Sequence, residues 1–397
     1  KPKLAYVGMD NKTLVESVPT QVVEVVYPHR VDAPKKDAGT KLFEEGQLGT
    51  GEIIKSPNLP KNRLIWTNDN LVALKTLLDE KDSVRGEYKY RNKIDLIYID
   101  PPFMVQSDFV AENSFNIEVD EEASVISIKE PTIIETIAYK DTWQNGLDSF
   151  LQMLRERLIL MKELLSPTGS IFVHLDWHAV HYVKVLMDEV FDYDLFHNEI
   201  IWHYQAGTGP LHGFAKKHDN ILFYSKTQNN FFNQVRLMVK DESIYPLVDE
   251  NSRHYRLSGT NNQTRYYADE GRKADDVWTW LDRKENNIFQ VFYAMPEYTD
   301  FPTQKPIALL ERIIRAACPK NGIVLDAFLG SGTTSEAAEQ LSEELNCTWI
   351  GIDNSKFAIH TARKRLIELN DKPKPEKNTG IYKVRPFTVE NMGYYQR

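Results

Sequence analysis

The chain has 397 residues, a hydrophobic content of 42% and a formal net charge of −9 at pH 7. This length exceeds that of a usual single domain, so a core with an insertion is expected, and no apolar run reaches the roughly 18 to 20 residues needed to cross a bilayer. The polar N-terminus is unlike a signal peptide and only Cys318 and Cys347 are present, which favours a reduced, cytoplasmic protein without membrane contact. The acidic balance disfavours a nucleic-acid partner only weakly, because the local potential of a groove matters more than the total charge.

The first part of the chain predicts an extended arm followed by strands and helices. Residues 1–60 are rich in glycine, proline and charge, which indicates an N-terminal arm, although residues 21–27 also fit a strand. The following elements are then expected in chain order: a strand at 64–66, a helix at 70–78, a strand at Ile94–Ile99, an inserted hairpin at 110–137, a helix at 147–165 broken by residues 167–169, a strand at 170–175 and a helix at 179–190.

The second part interrupts this alternation once and then resumes it. Strands are expected at 199–203 and 220–224, but residues 205–300 show few helix-length periods. From residue 306 a helix, a strand, a helix, a strand and a helix are expected as far as residue 369. This alternation predicts an α/β, doubly wound sheet. The expected segments are an arm (1–60), a first core half (61–204), an inserted region with the last core strand (205–300), a second core half (301–369) and a linker with a C-terminal segment (370–397).

The most informative stretch is Asp100-Pro101-Pro102-Phe103, which directly follows the apolar run Ile94–Ile99. Proline fixes φ and lacks a backbone donor, so this loop offers carboxylate and carbonyl oxygens but few N–H groups. It suits a planar amine with two N–H donors, such as the amine of a nucleobase. The alternative is an ordinary turn at the end of a strand, because aspartate and proline are common in turns.

A second motif runs from Val324 to Thr334. An apolar strand ends at Asp326, a glycine-rich turn follows, and a helix with small residues begins. Glycines let a ligand approach the backbone, and a helix N-terminus offers free N–H groups. A further strand ends in Asp353, where an acid can hold ribose hydroxyls. Neither the lysine of a phosphate loop nor the glycine spacing for a dinucleotide is present, which indicates a nucleoside without a pyrophosphate.

Together these residues resemble the amino-group DNA methyltransferases that use S-adenosylmethionine. Asp100 to Phe103 match the catalytic motif of that family, residues 326–334 match its cofactor motif, and residues 301–306 match the segment that precedes the cofactor motif when the catalytic motif comes first. The resemblance covers roughly residues 62–369 and is closest to the modification subunits of type III restriction systems. Two departures are Ala327, where the family usually has proline, and Phe103, where tyrosine is commoner.

The resemblance implies a circularly permuted methyltransferase sheet in which residues 205–300 recognise the DNA target. It implies that both motifs meet at one sheet edge, since ligands bind at the carboxyl ends of parallel strands. Asp69 is also a candidate for the adenine of the cofactor, with a helix N-cap as its alternative role. The candidate cofactor-binding residues are Asp69, Thr303, Lys305, Asp326, Phe328, Gly330, Ser331, Gly332, Thr333 and Asp353.

The implied reaction is methylation of the N6 amine of a flipped-out adenine. Asp100 and the carbonyl of Pro101 would each accept one N–H of the amine, next to Pro102, and Phe103 would stack on the base. Aspartate at the first motif position favours adenine by family usage. N4 of cytosine, an RNA base, and a DNA-recognition subunit with vestigial methyl transfer remain alternatives.

Double-stranded DNA is the expected substrate, and a homodimer and a restriction subunit are possible partners by analogy. In residues 205–300 basic and acidic side chains nearly balance, unlike in the acidic whole. For each basic side chain a solvated surface charge is the alternative to a DNA contact. The candidates for DNA contacts are Lys216, Lys217, Arg253, Arg256, Arg265, Arg272 and Lys273.

Two further groups of side chains, histidines and tryptophans, are expected to have structural roles. His174, His178 and His181 lie near Asp176 but lack cysteine companions, so hydrogen-bonded or surface histidines are favoured over a metal site, and no metal is expected. Trp278 and Trp280 are expected in the core. Residues 207–213 are expected to form a loop that could close over the flipped base.

Overall fold

The computed structural model describes residues 15–28, 59–102, 113–116, 126–129, 146–204, 212–237, 244–258, 264–279, 288, 291, 295, 297–299, 301, 304–374 and 380–392. The helices are α1 (Asn70–Asp79), α2 (Leu147–Leu164), α3 (Val180–Phe191), α4 (Ile307–Ala317), α5 (Thr333–Gln340), α6 (Ser342–Leu345) and α7 (Lys356–Leu369). The strands of the largest sheet are β1 (Gln21–Val26), β2 (Asn62–Trp66), β3 (Ile94–Ile99), β6 (Leu165–Leu175), β7 (Phe196–His203), β8 (His218–Ser225), β14 (Val277–Thr279), β15 (Ile323–Asp326), β16 (Thr348–Asp353) and β17 (Phe387–Asn391).

The ten strands of this sheet follow the spatial order β1-β17-β2-β16-β15-β3-β6-β8-β7-β14. The six strands from β17 to β6 are parallel. β1 and β8 run antiparallel to their neighbours, and β14 is parallel to β7. A mostly parallel sheet of this kind needs cover on both faces, because its strands are apolar on both sides.

Helices cover both faces and divide the core into two apolar layers. On one face α1, α2 and α3 pack against side chains such as Ile97 and Ile99. On the other face α4, α5 and α7 pack against side chains such as Leu96 and Val324. The α/β doubly wound fold predicted from the alternation of elements is therefore confirmed.

The chain order of the strands brings the two sequence motifs together. The strand β3, which precedes Asp100, pairs in parallel with β15, which ends in Asp326, and Asp326 is in register with Tyr98. β15 is flanked on its other side by β16, which is followed by β2. β2 and β3 thus precede β15 and β16 in the chain but lie on either side of this pair in the sheet.

Both ends of the described chain contribute strands to the sheet. β1 lies in the segment expected to be an arm, and it forms the strand that residues 21–27 also fitted. β17 lies in the segment expected to be a linker with a C-terminal segment, and it inserts between β1 and β2. The polar residue Glu390 hid this strand in the sequence, because its carboxylate pairs in the interior with Arg63 at 2.6 Å.

The predicted start of β6 is wrong. β6 begins at Leu165, directly after α2, whereas the sequence predicted a break at residues 167–169 and a strand from residue 170. The register shifts between Leu165 and Ser170, so the extra residues are accommodated as an irregularity within the strand. A Cβ at Gly169 would lie 2.7 Å from the carbonyl oxygen of Ile94, which explains the glycine.

Smaller sheets form the insertions. The predicted hairpin is present as β4 (Asn113–Asn116) and β5 (Ile126–Lys129), which pair antiparallel. Within 205–300, a three-stranded sheet consists of β10 (Leu247–Val248), β11 (His254–Ser258) and β12 (Thr264–Tyr267), and β9 (Arg236–Leu237) pairs with β13 (Arg272–Lys273). Trp278 is buried in β14, as predicted, whereas Trp280 lies outside the described residues.

Candidate active site

The carboxyl ends of four neighbouring parallel strands form the candidate site. Asp100 follows β3, the turn with Gly330 follows β15, Asp353 ends β16 and Asp69 follows β2. Open α/β sheets bind ligands at this edge. The structure therefore places the two sequence motifs on the same side of the molecule.

Asp100 has one oxygen in an ion pair and one oxygen without a partner. The Nζ atom of Lys305 lies 2.7 Å from Oδ2 of Asp100, and both side chains are largely buried. Oδ1 of Asp100 is buried and accepts no hydrogen bond from the residues that the structure describes. A buried acceptor without a donor costs free energy, so this oxygen is suited to receive an N–H from a substrate. Lys305, predicted as a cofactor residue, thus contacts the catalytic candidate directly.

The structure describes only two of the other three residues of this motif. Pro101 is buried and Pro102 is half-buried, directly after Asp100. Phe103 and the cofactor candidate Thr303 lie outside the described residues, as do residues 207–211 of the loop expected at 207–213.

The glycines of the second motif adopt backbone conformations that other residues rarely adopt. Gly330 has φ of 53° and Gly332 has φ of 84°. A Cβ at Gly332 would also lie 2.5 Å from Cβ of Ala362 on α7, so the turn and α7 pack closely there. The N–H of Gly330 donates to Oδ2 of Asp353 at 2.8 Å, which joins the turn to the end of β16.

Two carboxyl groups lie beneath this turn, and burial raises the pKa of both. The pKa of Asp326 rises to about 7 despite hydrogen bonds from the Thr334 hydroxyl and the Phe328 N–H. The pKa of Asp353 rises to about 6 despite backbone N–H donors from Ser355 and Gly330. Raised carboxyl pKa values are common at functional sites.

The hydroxyl groups of Ser331 and Thr333 are held by an arginine that the sequence analysis missed. Nη1 of Arg365 on α7 donates to Oγ of Ser331 at 3.1 Å and to Oγ1 of Thr333 at 2.9 Å. Arg365 also forms a buried ion pair with Glu336 on α5. The available signal was a basic residue on the apolar face of α7, four residues before Leu369 and three after Ala362.

Asp69 serves as the N-cap of α1, the alternative role expected for it. Its carboxylate accepts the N–H of Leu71 at 2.8 Å and pairs with Arg157 at 2.6 Å. The neighbouring Asn70 donates from Nδ2 to the carbonyl of Ala327 at 2.7 Å, which links α1 to the glycine turn. Arg157 was also missed, and it too is a basic residue on an apolar helix face.

A comparison with protein families identifies the chain. The family model for N6 and N4 methylases, described as "DNA methylase", matches residues 94–364, which include Asp100 and the glycine turn. The chain belongs to this DNA methylase family. S-adenosylmethionine is the cofactor of the family, as the sequence resemblance implied.

Several curated methyltransferases are similar in sequence to most of this chain. Type II methyltransferase M.EcaI of Enterobacter cloacae is 26% identical over 393 residues, which cover 87% of this chain and 77% of that protein. The StyLTI Mod subunit of a type III restriction-modification enzyme of Salmonella typhimurium is 25% identical over 435 residues, covering 91% of this chain and 64% of the relative. Among solved structures, M1.HpyAVI in complex with SAM is 19% identical, covers 77% of this chain and 98% of its own, and has a TM-score of 0.40.

The donor and acceptor groups of the methylase site fit a nucleoside cofactor. Each carboxylate oxygen of Asp353 accepts one backbone N–H, and each retains a lone pair for a ribose hydroxyl. The turn with Gly330 presents backbone without a side chain next to this carboxylate. Phe328 follows Asp326 and packs half-buried against the core. These groups form a polar sheet edge at which a nucleoside can bind.

Two of the basic DNA-contact candidates lie near the catalytic edge. Lys216 and Lys217 precede β8, in the connection that follows the carboxyl end of β7. The Nζ atom of Lys216 lies 3.1 Å from the centre of the Trp177 ring, and Trp177 is exposed by 43%. Both lysines therefore lie at the same edge of the sheet as Asp100.

The other basic candidates lie on the small sheets. Arg253 pairs with Asp269 at 2.7 Å and stacks on Tyr267, so its charge is already partnered. Arg272 pairs with Asp275 at 3.2 Å, and Lys273 lies next to it in β13. The guanidinium group of Arg256 lies over the rings of Tyr245 and Tyr266, and that of Arg265 lies over the ring of Tyr255. Arg253 and Arg272 are therefore partnered by acidic side chains, and Arg256 and Arg265 lie over tyrosine rings.

His174 is a hydrogen-bonded core histidine, which is one of the structural roles favoured from the sequence. Its two ring nitrogens contact Tyr98 and Asp219 at 2.9 and 3.1 Å. His178 pairs instead with Asp176. Within the described parts of the chain, no group of three or more histidine, cysteine or acidic side chains is arranged to hold a metal ion. The helices of those parts also include none that is long and apolar enough to span a membrane.

Proposed function

We propose that this methylase transfers a methyl group from S-adenosylmethionine to N6 of adenine in double-stranded DNA. The observation that supports this most directly is the buried, unpartnered Oδ1 of Asp100, one strand away from the glycine turn. When bound, S-adenosylmethionine supplies an electrophilic methyl group. Gly330, Asp353 and the first turn of α5 would hold it.

The chain's own groups act on the amine. An exocyclic amine is a weak nucleophile, because its lone pair is delocalised into the ring. Oδ1 of Asp100 and the carbonyl of Pro101 would each accept one N–H and favour a pyramidal nitrogen with a directed lone pair. Lys305 holds the other oxygen of Asp100, so the carboxylate keeps one orientation. Positioning of this kind can supply roughly 7–11 kcal/mol of the barrier.

Adenine is favoured over cytosine by aspartate at position 100, since family usage has serine there more often for N4-cytosine. A target amine inside a duplex is inaccessible, so the base must leave the stack. The relatives include Mod subunits of type III restriction-modification enzymes and type II methyltransferases, which supports a role in restriction-modification, with a restriction subunit and a second copy of the chain as possible partners. The retention of Asp100, Gly330 and Gly332 argues against a vestigial site.

The test is transfer of tritiated methyl groups to amplified, unmethylated genomic DNA and to RNA, followed by nucleoside analysis. We expect labelled 6-methyladenine from DNA, lost by at least about 1000-fold in Asp100→Ala. Asp188→Ala is the control, because Asp188 is a carboxylate on α3 that pairs with Lys184 far from this edge. Tritiated methyl groups in cytosine or in RNA would show that adenine in DNA is not the substrate. An unchanged amount of labelled product with Asp100→Ala would refute the catalytic role of Asp100.

A further inference from the structure

The hydroxyl group of Thr333 links the glycine turn to the catalytic carboxylate. Thr333 is the first residue of α5, directly after Gly332, and its side chain is buried. Its Oγ1 atom donates to the backbone carbonyl of Lys305 at 3.1 Å. The Nζ atom of Lys305 in turn pairs with Oδ2 of Asp100 at 2.7 Å. Lys305 thus contacts the glycine turn through its backbone and Asp100 through its side chain.

The neighbouring groups fix the direction of the Thr333 hydroxyl. A carbonyl oxygen only accepts and a guanidinium group only donates, so Thr333 gives its hydrogen to Lys305 and accepts Nη1–H of Arg365 at 2.9 Å. The hydroxyl of Ser331 lies 3.2 Å away and acts there as the donor, because the one hydrogen of Thr333 is already used. A hydroxyl has one hydrogen and two lone pairs. The Thr333 hydroxyl is therefore fully used by groups of the protein itself.

Two roles for Thr333 can be separated on this basis. The sequence predicts that Thr333 binds the cofactor, but a hydroxyl whose hydrogen and lone pairs are all used has no group left for a ligand. The first N–H groups of a helix have no partner within it, so the backbone of α5 is better suited than this side chain to face a cofactor. The side chain of Thr333 instead acts on Lys305.

The backbone before Lys305 is held by a second set of contacts. Nε2 of Gln304 donates to the carbonyl of Glu297 at 2.5 Å, and Oε1 of Gln304 accepts the hydroxyl of Thr299 at 2.7 Å. These contacts hold residue 304, whereas Thr333 holds the carbonyl of Lys305. Anchoring this carbonyl fixes the point from which the Lys305 side chain extends toward Asp100.

We propose that Thr333 is a positioning residue for methyl transfer, which anchors the Lys305 backbone so that Lys305 holds Asp100 with Oδ1 directed at the target amine. Arg365 keeps the Thr333 hydroxyl directed at Lys305. This inference rests on the proposed function, because it assigns to Asp100 the role of acceptor for the amine. The glycine turn then supports the catalytic carboxylate in addition to offering its backbone to the cofactor.

Thr333→Val is the first test, because valine keeps the branched shape and removes the hydroxyl. We expect the single-turnover rate at saturating S-adenosylmethionine to fall about 3- to 10-fold, on the order of one lost hydrogen bond. The dissociation constant for S-adenosylmethionine, measured by calorimetry, is expected to stay within about twofold, because the variant removes no group that is open to the cofactor. A weaker affinity with an unchanged rate would assign the hydroxyl to cofactor binding and overturn the proposal.

Thr76→Val is the matched control. Thr76 lies on α1, and its buried hydroxyl donates to the carbonyl of Val18 at 3.1 Å, so the same kind of bond is lost at the same distance. This control is expected to retain the rate of transfer. Equal rates for Thr333→Val and Thr76→Val would show that the bond to Lys305 has no effect on the reaction.

Two further variants separate the hydroxyl from the packing of the side chain. Thr333→Ser keeps the hydroxyl and is expected to react within about twofold of the unmodified rate. A serine variant as slow as the valine variant would assign the effect to the lost methyl group and contradict the proposal. Thr333→Ala covers the case in which the valine methyl does not fit beside the Lys305 carbonyl, because alanine is smaller and favourable in a helix. Its rate is expected to fall as for valine.

A crystal structure of Thr333→Val, or of Thr333→Ala, gives a result that does not depend on turnover. We expect the Lys305 carbonyl to shift and Nζ of Lys305 to leave hydrogen-bond range of Oδ2 of Asp100. An unaltered pair at 2.7 Å would overturn the positioning role even if methyl transfer were slow. If the unmodified chain methylated RNA instead of DNA, only the proposed substrate would fall, because the geometry of Lys305 and Asp100 is measured separately.

Discussion

At the scale of single residues, the site depends on charges that are buried next to specific partners. Asp100 is stabilised by Lys305 on one oxygen only, and the side chain of Lys305 is just 8% exposed. Breaking a buried pair by removing one partner leaves the other charge uncompensated, which is strongly unfavourable. Lys305 therefore fixes the orientation of the Asp100 carboxylate.

We expect Lys305→Met to lower the rate of methyl transfer about 100-fold, because Asp100 loses its ion pair and is no longer held in one orientation. Single-turnover transfer to amplified DNA measures this rate separately from product release. Lys226→Met is the control, since Lys226 is a partly buried lysine that donates to the carbonyl of Leu165 away from the site. A rate for Lys305→Met equal to that of the control would show that Asp100 needs no partner.

At the scale of elements, the turn between β15 and α5 is shaped by contacts with two other elements. Gly330 donates to Asp353 at the end of β16, and Gly332 lies against Ala362 on α7. Arg365 on α7 joins the hydroxyl groups of this turn to Glu336 on α5. The turn is therefore a rigid part of the core whose form is set before a ligand binds.

Gly332→Ala is expected to lower the free energy of unfolding by about 2–4 kcal/mol, because the alanine combines an unfavourable positive φ with a clash against Ala362. Gly380→Ala is the matched control. Gly380 has φ of 95°, but nothing lies within 4 Å of an added Cβ, so only the backbone strain of about 1 kcal/mol applies. Urea denaturation of both variants gives the comparison, and equal losses would mean that the packing of α7 against the turn is loose.

At the scale of the whole molecule, the sheet is completed by segments from both ends of the described chain. β17 inserts between β1 and β2, and Glu390 on β17 forms two short contacts with Arg63 on β2, at 2.6 and 2.8 Å. Arg63 also pairs with Glu80 at the end of α1. The strand β17 thus belongs to the structural unit that carries Asp100 and the glycine turn.

Glu390→Gln is expected to destabilise the protein by roughly 3 kcal/mol, because Arg63 stays buried with an incomplete set of partners. Thermal or urea unfolding measures the change. Asp269→Asn breaks the exposed pair with Arg253 and is expected to leave stability nearly unchanged. A small effect of Glu390→Gln would indicate that β17 detaches without unfolding the sheet.

The buried carboxyl groups make the stability of the molecule depend on pH. Because burial raises the pKa of Asp326 to about 7, the folded state binds a proton that the unfolded state releases near its ordinary pKa of 3.8. Stability from this group is therefore complete below about pH 4 and is lost as the pH rises toward 7. Asp326→Asn resembles the protonated form, so its free energy of unfolding should not fall with rising pH in this way. The difference in free energy of unfolding between Asp326→Asn and the unmodified protein is therefore expected to increase by roughly 1–3 kcal/mol from pH 5 to pH 8. Urea denaturation at both pH values checks this, and a pH-independent difference would contradict it.

The sequence by itself determined the elements whose signals are local. The run Ile94–Ile99 forms β3 with the predicted bounds, because a strand that is apolar at every position except Asp95 is specified by its own residues. The glycines at 330 and 332 predict a turn whose backbone a ligand can approach, and the structure shows both with a positive φ, which glycine adopts without strain. The meeting of the two motifs was also predictable, since carboxyl ends of parallel strands share one edge.

Only the tertiary structure decided which side chains meet across that edge. Three contacts join residues from distant elements. They are the ion pair of Lys305 with Asp100, the hydrogen bond from Arg365 to Thr333 in the turn, and the contact of His174 with Asp219. The insertion of β17 beside β2 was likewise hidden, because its buried Glu390 looks like a surface residue until Arg63 is placed opposite. The physical reason is that a buried polar side chain is defined by its partner, and the partner is set by strand order and register, which no local pattern contains.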